Sequence, residues 1–185
     1  PSVGSGFGPR IDGPVLSDAS GWDGPEYFTT IRLADFDGDG RDDVCARSSA
    51  GWGCWPSTGV GFGARVAGPA WSDAAGWNRP SSYGTVRTGD TDGDGRSDVC
   101  ARAAAGMVCA LSTGAGFGAA FAGPAWSDAA GFVEHEYWTT IRLADVDGDG
   151  RADLCARGID GVVCHLSTGA GFGDAVAGPT LSDAS

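Results

Sequence analysis

Apolar residues in this chain stand in short runs that alternate with polar residues, and clusters of Gly, Pro, Asp and Ser separate the runs. Alternation of this kind is typical of half-buried β-strands, and the intervening clusters are typical of turns. Near the first group of acidic residues, Ile31 and Leu33 would share one face of a strand. The pattern predicts four strands in this part of the chain, at residues 28–36, 43–47, 52–56 and 62–67.

This unit recurs along the chain at a spacing of 55 residues. The string Asp-x-Asp-Gly-Asp-Gly-Arg-x-Asp begins at Asp35, Asp90 and Asp145, and Cys-Ala-Arg begins at Cys45, Cys100 and Cys155. A fixed period of this length is typical of repeat architectures. We therefore divide the single domain, residues 1–185, into a partial repeat at 1–20 and three full repeats at 21–75, 76–130 and 131–185. Residues 1–20 and 166–185 are copies of one segment.

Four short antiparallel strands per repeat are typical of a β-propeller blade. The 33 glycines and 9 prolines exclude an all-α protein. The sequence predicts an all-β fold: a β-propeller-type array of three four-stranded repeats with an extra terminal strand from the partial repeat. A β-trefoil-like closed three-fold repeat is the alternative, because it also contains three four-stranded units.

The charge of the chain limits its partners. Twelve basic residues, all arginine, face 24 acidic residues, and the net charge is −12. Such a chain is repelled by nucleic acid and by anionic membrane surfaces, and its sequence contains no apolar run long enough for a transmembrane helix. Half of the acidic residues lie in three short clusters, and clustered carboxylates favour a bound cation.

Each acidic cluster has carboxylates at positions 1, 3, 5 and 9 of a tight loop. Oxygen ligands that converge in this way suit Ca²⁺, and the backbone carbonyl at position 7 would complete the ligand set. The loops differ from an EF-hand because position 12 is alanine instead of glutamate. We predict three structural calcium ions. The candidate ligands are Asp35, Asp37, Asp39, Arg41 and Asp43; Asp90, Asp92, Asp94, Arg96 and Asp98; and Asp145, Asp147, Asp149, Arg151 and Asp153.

With Phe62-Gly63, Gly68-Pro69 and the Asp-rich loop, the chain resembles the FG-GAP/VCBS repeat family over essentially its whole length. That family includes integrin-type propeller blades and many secreted bacterial proteins. The resemblance implies a calcium-binding propeller in which the ion stabilises a β-hairpin loop.

Six cysteines form three pairs, each nine residues apart: Cys45 and Cys54, Cys100 and Cys109, and Cys155 and Cys164. If the second and third strands of a repeat form a hairpin with its tip near Ser49-Ala50, the two cysteines of a pair lie opposite each other. Three within-repeat disulfides are therefore predicted, and three pairs of buried thiols are the alternative. Disulfides at this density indicate an oxidising compartment, so we expect a secreted, extracellular protein.

Catalytic residues are hard to find in the sequence. The two histidines, His135 and His165, have no counterparts in the other repeats, and no nucleophile elbow or zinc-protease motif is present. We therefore expect a protein that is not an enzyme.

Aromatic residues instead follow the repeat, because Trp71 and Trp126 each precede Ser-Asp-Ala and Trp77 follows six residues after the first of them. They either pack between repeats or stack on a sugar in a pocket between repeats, with a neighbouring carboxylate accepting its hydroxyls. The candidate ligand-binding residues are Trp71, Asp73, Trp77, Trp126 and Asp128.

The sequence thus predicts a secreted, calcium-stabilised module that binds carbohydrate on a glycan or glycoprotein surface. The alternatives are a protein-interaction, scaffolding or adhesion module of a larger secreted assembly and an accessory domain of a polysaccharide-active enzyme. Three blades are fewer than a propeller ring contains, so we also expect self-association, or contact with a neighbouring protein segment, through open sheet ends.

Overall fold

The computed structural model describes residues 8–181 of the chain. Within these residues each repeat forms its own four-stranded antiparallel sheet, and strands that follow one another in sequence are neighbours in the sheet. The first sheet contains β1 (Arg32–Ala34), β2 (Asp43–Ser48), β3 (Gly51–Trp55) and β4 (Val66–Ala67). The second contains β5 (Arg87–Gly89), β6 (Asp98–Ala103), β7 (Gly106–Ala110) and β8 (Phe121–Ala122). The third contains β9 (Arg142–Ala144), β10 (Asp153–Gly158), β11 (Gly161–Ser167) and β12 (Phe172–Ala177).

The all-β fold with three four-stranded repeats is confirmed, and the three sheets do not close into a ring. The three-fold repeat is common to the propeller-type array and to the trefoil-like alternative. Each sheet takes its strands from a single repeat, which is the arrangement of propeller blades.

The hairpin of the second and third strands has the predicted register. Cys45 lies opposite Cys54, and the turn between Ser48 and Gly51 forms the tip. The same register recurs in the other two sheets. Disulfides join Cys45 to Cys54, Cys100 to Cys109 and Cys155 to Cys164, with Cα–Cα distances of 4.0, 4.1 and 4.1 Å. The three predicted pairings are therefore confirmed.

The first predicted strand, residues 28–36, is wrong in its first half. A four-residue helix α1 (Pro25–Phe28) precedes a strand that begins only at Arg32. Pro25 stands at the first helical position, where its missing N–H needs no partner and its fixed φ suits a helix. Two further helices occupy the same place in the later repeats, α2 (Pro80–Tyr83) and α3 (His135–Trp138).

The fourth strand is shorter than predicted in two of the three sheets. In the first sheet Phe62 forms only an isolated bridge with Ser57, and regular pairing covers Val66 and Ala67. In the third sheet the full run from Phe172 to Ala177 is a strand. The predicted extra terminal strand is not seen where the structure describes the partial repeat, because residues 8–17 have no regular structure and only a short 3-10 helix, Asp18–Ser20, follows.

The hydrophobic core lies between the sheets. One cluster joins Trp52 and Cys54 of the first sheet to Val86 and Val99 of the second. A second cluster joins Met107 of the second sheet to residues of the third, including Ile141 and Leu154. Burial of these side chains is the main force that holds neighbouring sheets together. No helix in residues 8–181 is long and apolar enough to cross a membrane.

Candidate functional site

A cavity recurs at equivalent positions in the first two repeats. It lies between the tip of the central hairpin and the turn that leads into the short helix. The first cavity has a volume of about 190 Å³ and is lined by Ser20, Gly21, Trp22, Tyr27, Ser48 and Ser49. The second has a volume of about 200 Å³ and is lined by Ala75, Gly76, Trp77, Arg79, Ser82, Ala103 and Ala104. Every residue that lines the first cavity has its counterpart, 55 positions later, in the second.

The third repeat has a wider cavity at the same place. Phe132 replaces the tryptophan, and Gly158 and Ile159 replace the residues of the hairpin tip. This cavity has a volume of about 460 Å³ because it continues along β11 and β12, where Val163 and Ala175 line it. The repeat thus places an aromatic ring beside a hairpin tip three times.

A buried arginine supports the rim of each of the first two cavities. In the second repeat the guanidinium of Arg102 is buried, and its Nε donates to the carbonyl oxygen of Trp126 at 2.9 Å. Its Nη2 forms an ion pair with Asp128. The backbone N–H of Asp128 donates to the carbonyl oxygen of Ala104 at 2.9 Å, on the hairpin tip. The arginine therefore ties the side chain of Asp128 to the central strand, while the backbone of Asp128 is bonded to Ala104, which lines the cavity.

The first repeat contains the same arrangement with one addition. Arg47 forms an ion pair with Asp73 and donates from Nε to the carbonyl oxygen of Trp71 at 2.7 Å. The hydroxyl of Tyr27, which lines the first cavity, donates to Oδ2 of Asp73 at 2.6 Å. Both carboxylate oxygens of Asp73 thus have protein donors.

These contacts change the ionisation of both partners. The hydrogen bond to Asp73, with burial, raises the pKa of Tyr27 to about 12. Desolvation alone would raise the pKa of Asp73, but the hydrogen bonds from Tyr27 and Arg47 outweigh it and the net pKa is lowered. Asp73 is therefore ionised and Tyr27 protonated throughout the neutral range.

The second repeat lacks the tyrosine. Ser82 stands at the position of Tyr27, and within residues 8–181 the side-chain hydrogen bond to Asp128, from Arg102, reaches Oδ1 and leaves Oδ2 without a side-chain donor. The carboxylate of Asp128 is 39 % exposed. One carboxylate oxygen of Asp128 therefore keeps its acceptor capacity, whereas the corresponding oxygen of Asp73 is already bonded to Tyr27.

Trp71 and Trp126 belong to the core. Their exposed fractions are only 4 % and 5 %, and their rings stack on Trp77 and Phe132 at centroid distances of 4.6 and 5.3 Å. Their ring faces are covered, so we no longer assign them to sugar stacking. Of the aromatic candidates, Trp77 is the one that lines a cavity, since it is half-buried and one of its faces rests on Trp71.

Sequence reasoning missed several residues that shape the cavities: Tyr27, Arg47, Arg79, Ser82 and Arg102. The signal was present for the arginines, because Cys-Ala-Arg recurs with the repeat and places a charged side chain on a central strand. A charge in such a position needs a partner, and the recurring Ser-Asp-Ala supplies it.

The acidic loops bring carboxylates together as the spacing predicts. Oxygens of Asp35, Asp37 and Asp39 lie within 4.8 Å of one another, as do those of the three counterparts in the second repeat; in the third repeat the group consists of Asp145, Asp147 and Asp153. The donor set is three carboxylates, which suits a hard cation such as Ca²⁺.

Much of each loop's bonding capacity is already used by the backbone. Oδ1 of Asp35 accepts from the N–H of Gly38 at 2.8 Å, and Oδ2 accepts from the N–H of Gly40. Both of these glycines have positive φ, at +78° and +84°, which the tight wrap requires. The Arg41 guanidinium forms an ion pair with Asp39 at the rim. Arg96 and Arg151 do the same with Asp94 and Asp149.

The aspartate at position 9 of each loop is buried and fastens the loop to the sheet. Oδ2 of Asp43 accepts from the N–H of Phe36 at 3.0 Å, and Oδ1 accepts from the N–H of Ser57 at 2.6 Å. Its counterparts Asp98 and Asp153 make the same two contacts. Burial raises the pKa of Asp98 to about 6 in spite of these hydrogen bonds.

Comparison with solved structures shows the fold. A lectin from Agrocybe aegerita, whose structure concerns recognition of non-reducing terminal N-acetylglucosamine, superposes with a TM-score of 0.71 at 24 % identity, covering 81 % of this chain and 38 % of the lectin chain. A Photorhabdus luminescens Tc holotoxin pore (TccC3 mutant D651A) superposes with a TM-score of 0.59 at 20 % identity, covering 94 % of this chain and 8 % of the holotoxin chain. TcdB2-TccC3 without its hypervariable C-terminal region superposes with a TM-score of 0.53 at 24 % identity, covering 69 % of this chain and 6 % of the TcdB2-TccC3 chain. The chain thus spans well under half of each of these chains. No family model and no curated protein sequence matches it.

Proposed function

We propose that this chain is a glycan-binding module that recognises sugars in the recurring cavities beside its hairpin tips. The observation that carries the proposal is the repetition of one aromatic-lined cavity at the same place in all three repeats. An aromatic ring covers the apolar C–H face of a pyranose, and hydroxyl and carboxylate groups take its polar edge. Repeated weak sites on one surface gain avidity when they face a glycan-coated surface.

The second cavity is the strongest candidate. Trp77 offers a half-buried ring, Ser82 a hydroxyl and Arg79 a cation. The partly exposed side chain of Asp128 keeps one acceptor oxygen, and the backbone N–H of Asp128 is bonded to the cavity-lining Ala104. A single site of this kind would bind with a dissociation constant of about 1 mM to 10 μM. The first cavity should bind more weakly because Tyr27 already uses the corresponding acceptor of Asp73.

The lectin neighbour supports a sugar ligand and gives the first probe, glycans with a non-reducing terminal N-acetylglucosamine. Three disulfides support an oxidising, extracellular setting. The proposal is of a binding module and assigns no catalytic residue. We further propose that Ca²⁺ stabilises the three acidic loops, as the resemblance to FG-GAP/VCBS repeats implies, with the carboxylates of the Asp35, Asp90 and Asp145 loops as ligands.

The experiment interchanges Tyr27 and Ser82, which occupy equivalent positions in the first and second cavities. A glycan array identifies the ligand, and titration calorimetry then compares the chain with Ser82→Tyr, Tyr27→Ser and Trp77→Ala. We expect Ser82→Tyr to weaken binding at the second cavity roughly tenfold by supplying Asp128 with a protein donor. Tyr27→Ser should strengthen binding at the first cavity, and Trp77→Ala should abolish binding at the second.

Trp22→Ala is the matched control for Trp77→Ala, since it removes the equivalent ring from the weaker cavity. It should leave the stronger binding event unchanged. An array without a glycan ligand, or a ligand whose affinity none of the four variants changes, would contradict the proposal.

A further inference from the structure

The two interfaces between neighbouring sheets are built from the same contacts. Nε of Arg32 in β1 donates to the carbonyl oxygen of Val86, which precedes β5, at 3.1 Å. Nε of Arg87 in β5 donates to the carbonyl oxygen of Ile141, which precedes β9, at 2.8 Å. Each inner-strand arginine therefore reaches forward to the following sheet.

Other contacts reach backward across the same interfaces. The N–H of Ser97 donates to the carbonyl oxygen of Asp35 at 2.7 Å, and the N–H of Ala152 donates to that of Asp90 at 2.6 Å. The hydroxyls of Ser112 and Ser167 likewise donate to the carbonyl oxygens of Phe36 and Thr91. Every sheet interface thus combines one forward donor with two backward donors.

The outward face of the third sheet, which we call the trailing face, has the counterparts of the residues that contact a following sheet in the two inner interfaces. Arg142 is the counterpart of Arg32 and Arg87, but its side-chain bonds within residues 8–181 run only from Nη1, to the carbonyl oxygens of Thr139 and Ile141. Val146 is 52 % exposed, whereas its counterparts Phe36 and Thr91 are 1 % and 2 % exposed.

The glycines of the acidic loops show the same difference between the inner interfaces and the trailing face. A Cβ on Gly38 would lie 2.9 Å from the Arg96 side chain of the next sheet, and one on Gly93 would lie 3.2 Å from Arg151. A Cβ on Gly148, on the trailing face, would have no neighbour within 4 Å. The space beside Gly148 that corresponds to the space occupied by Arg96 and Arg151 in the inner interfaces is therefore free.

The outward face of the first sheet, which we call the leading face, has the counterparts of the residues that contact a preceding sheet in the two inner interfaces. Ile31 is 38 % exposed and Leu33 is 66 % exposed, although Val86 and Ile141, the counterparts of Ile31, are completely buried. Arg32 Nη1 donates to the Ile31 carbonyl oxygen, and among residues 8–181 this oxygen receives no donor from another sheet of the kind that Val86 and Ile141 receive. Pro9 and Ile11 line a cavity of about 240 Å³ together with Gly59 and Val60 of the first repeat.

We propose that a second copy of this chain docks its leading face on the trailing face of the first. Arg142 of one copy then donates to the Ile31 carbonyl oxygen of the other, and Leu33 packs against Ala144 as Leu143 packs against Gly89 inside the chain. The contact repeats an interface that the chain already forms twice, so its backbone acceptors and its arginine donor have the same arrangement as in those two interfaces. Two copies joined at both faces form a closed ring of six blades.

Ring closure follows from the geometry of head-to-tail contacts. Such contacts give either a closed ring or an open filament, and propellers close with about four to eight blades. The shared region is 81 % of this chain and 38 % of the Agrocybe aegerita lectin chain, so two copies of this chain are about as long as one lectin chain. A ring of six blades is therefore compatible with the fold that the two proteins share.

The test measures the mass of the full chain by sedimentation equilibrium and native mass spectrometry over a wide concentration range. We expect a dimer of twice 18.6 kDa. Arg142→Glu on the trailing face and Leu33→Asp on the leading face should each raise the dissociation constant at least tenfold, whereas Ala119→Asp, an exposed substitution in the second repeat and away from both faces, should not change it. Circular dichroism and thermal melting confirm that each variant is folded.

Mixing the two face variants distinguishes head-to-tail docking from other dimers. A mixture of Arg142→Glu with Leu33→Asp restores one intact interface per pair, so it should dimerise more strongly than either variant alone. A monomer at all concentrations, a dimer insensitive to both variants, a mixture no better than its components, or growth into larger polymers would each overturn the proposal.

Discussion

Arg47 and Asp73, 26 residues apart, form an ion pair in which the guanidinium is completely buried and the carboxylate is 30 % exposed. The pair connects β2 of the first sheet to the segment that leads into the second repeat. Arg102 and Asp128 repeat it one repeat later. The pair is therefore part of the framework that fixes the cavity rims, and it couples the stability of each blade to the position of its candidate site.

Asp73→Ala should destabilise the protein by about 2–4 kcal/mol, because it leaves the buried Arg47 without its counter-charge. The partial exposure of the carboxylate keeps the effect below that of a fully buried pair. Asp18→Ala is the matched control, since Asp18 is the counterpart of Asp73 in the partial repeat and is exposed. That control should change stability by less than about 0.5 kcal/mol. Urea denaturation measures both, and equal effects would contradict the framework role of the pair.

The same aspartate should give the protein a specific acid sensitivity. The pKa of Asp73 is lowered in the folded protein, so its contribution to stability is complete above the ordinary value of 3.8 and is lost as the pH falls below 3.8. Asp73→Asn removes this contribution at all pH values. Melting curves from pH 5 down to pH 2 should therefore fall less steeply for Asp73→Asn than for the unchanged chain. Parallel slopes for the two proteins would show that Asp73 titrates normally.

How much the sequence could predict depended on whether a feature was local. The spacing of Cys45 and Cys54 determines the hairpin register, because opposite positions in an antiparallel pair follow from the turn alone. The helix at Pro25 was missed because Phe28 and the residues after it have high β-propensity, although a proline at the first helical position is itself a helix-start signal.

The site was harder to predict than the fold, because burial depends on neighbouring repeats. Trp71 and Trp77 are both aromatic and both recur 55 positions later, as Trp126 and Phe132, yet Trp71 is in the core and Trp77 lines a cavity. The repeat pattern gives both the same periodicity. Only packing of one sheet against the next separates them.

Mild reduction should open Cys155–Cys164 before the other two disulfides. Both of its cysteines are half-buried, whereas Cys45, Cys54, Cys100 and Cys109 are at most 1 % exposed. Access of the attacking thiolate therefore favours the third repeat. Alkylation followed by peptide mass spectrometry identifies the bond that opens first. Replacing both cysteines of this pair by serine should lower stability by about 2.5–3 kcal/mol, the chain-entropy value for a loop of about ten residues.

Calcium removal should lower the melting temperature by several degrees, since the clustered carboxylates of each acidic loop would then repel one another. Excess EDTA tests this, and added Ca²⁺ should restore the original value. Native mass spectrometry should find three ions in the unchanged chain and two in Asp90→Asn/Asp94→Asn. A melting temperature that does not change with excess EDTA would contradict the calcium proposal and leave the glycan proposal intact.

A methyl group at Gly106 should be among the most damaging single changes in the chain. Gly106 begins β7 with a φ of +139°, and a Cβ there would lie 2.8 Å from the carbonyl oxygen of Pro124 and 3.1 Å from Cα of Ala125. The segment that carries Trp126 into the core crosses the hairpin at this point. Gly106→Ala combines a disfavoured backbone conformation with a clash against backbone atoms, so it should cost about 3 kcal/mol or more and lower the melting temperature by about 6–12 °C.

Gly76→Ala separates the two causes. Gly76 has a φ of +82°, and a Cβ there would meet nothing within 4 Å, so the substitution introduces left-handed backbone strain without a clash. It should cost about 1–2 kcal/mol. Thermal and urea denaturation of the two variants measure the difference. If Gly106→Ala were no more destabilising than Gly76→Ala, the close approach of the crossing segment to the hairpin would not be needed for folding.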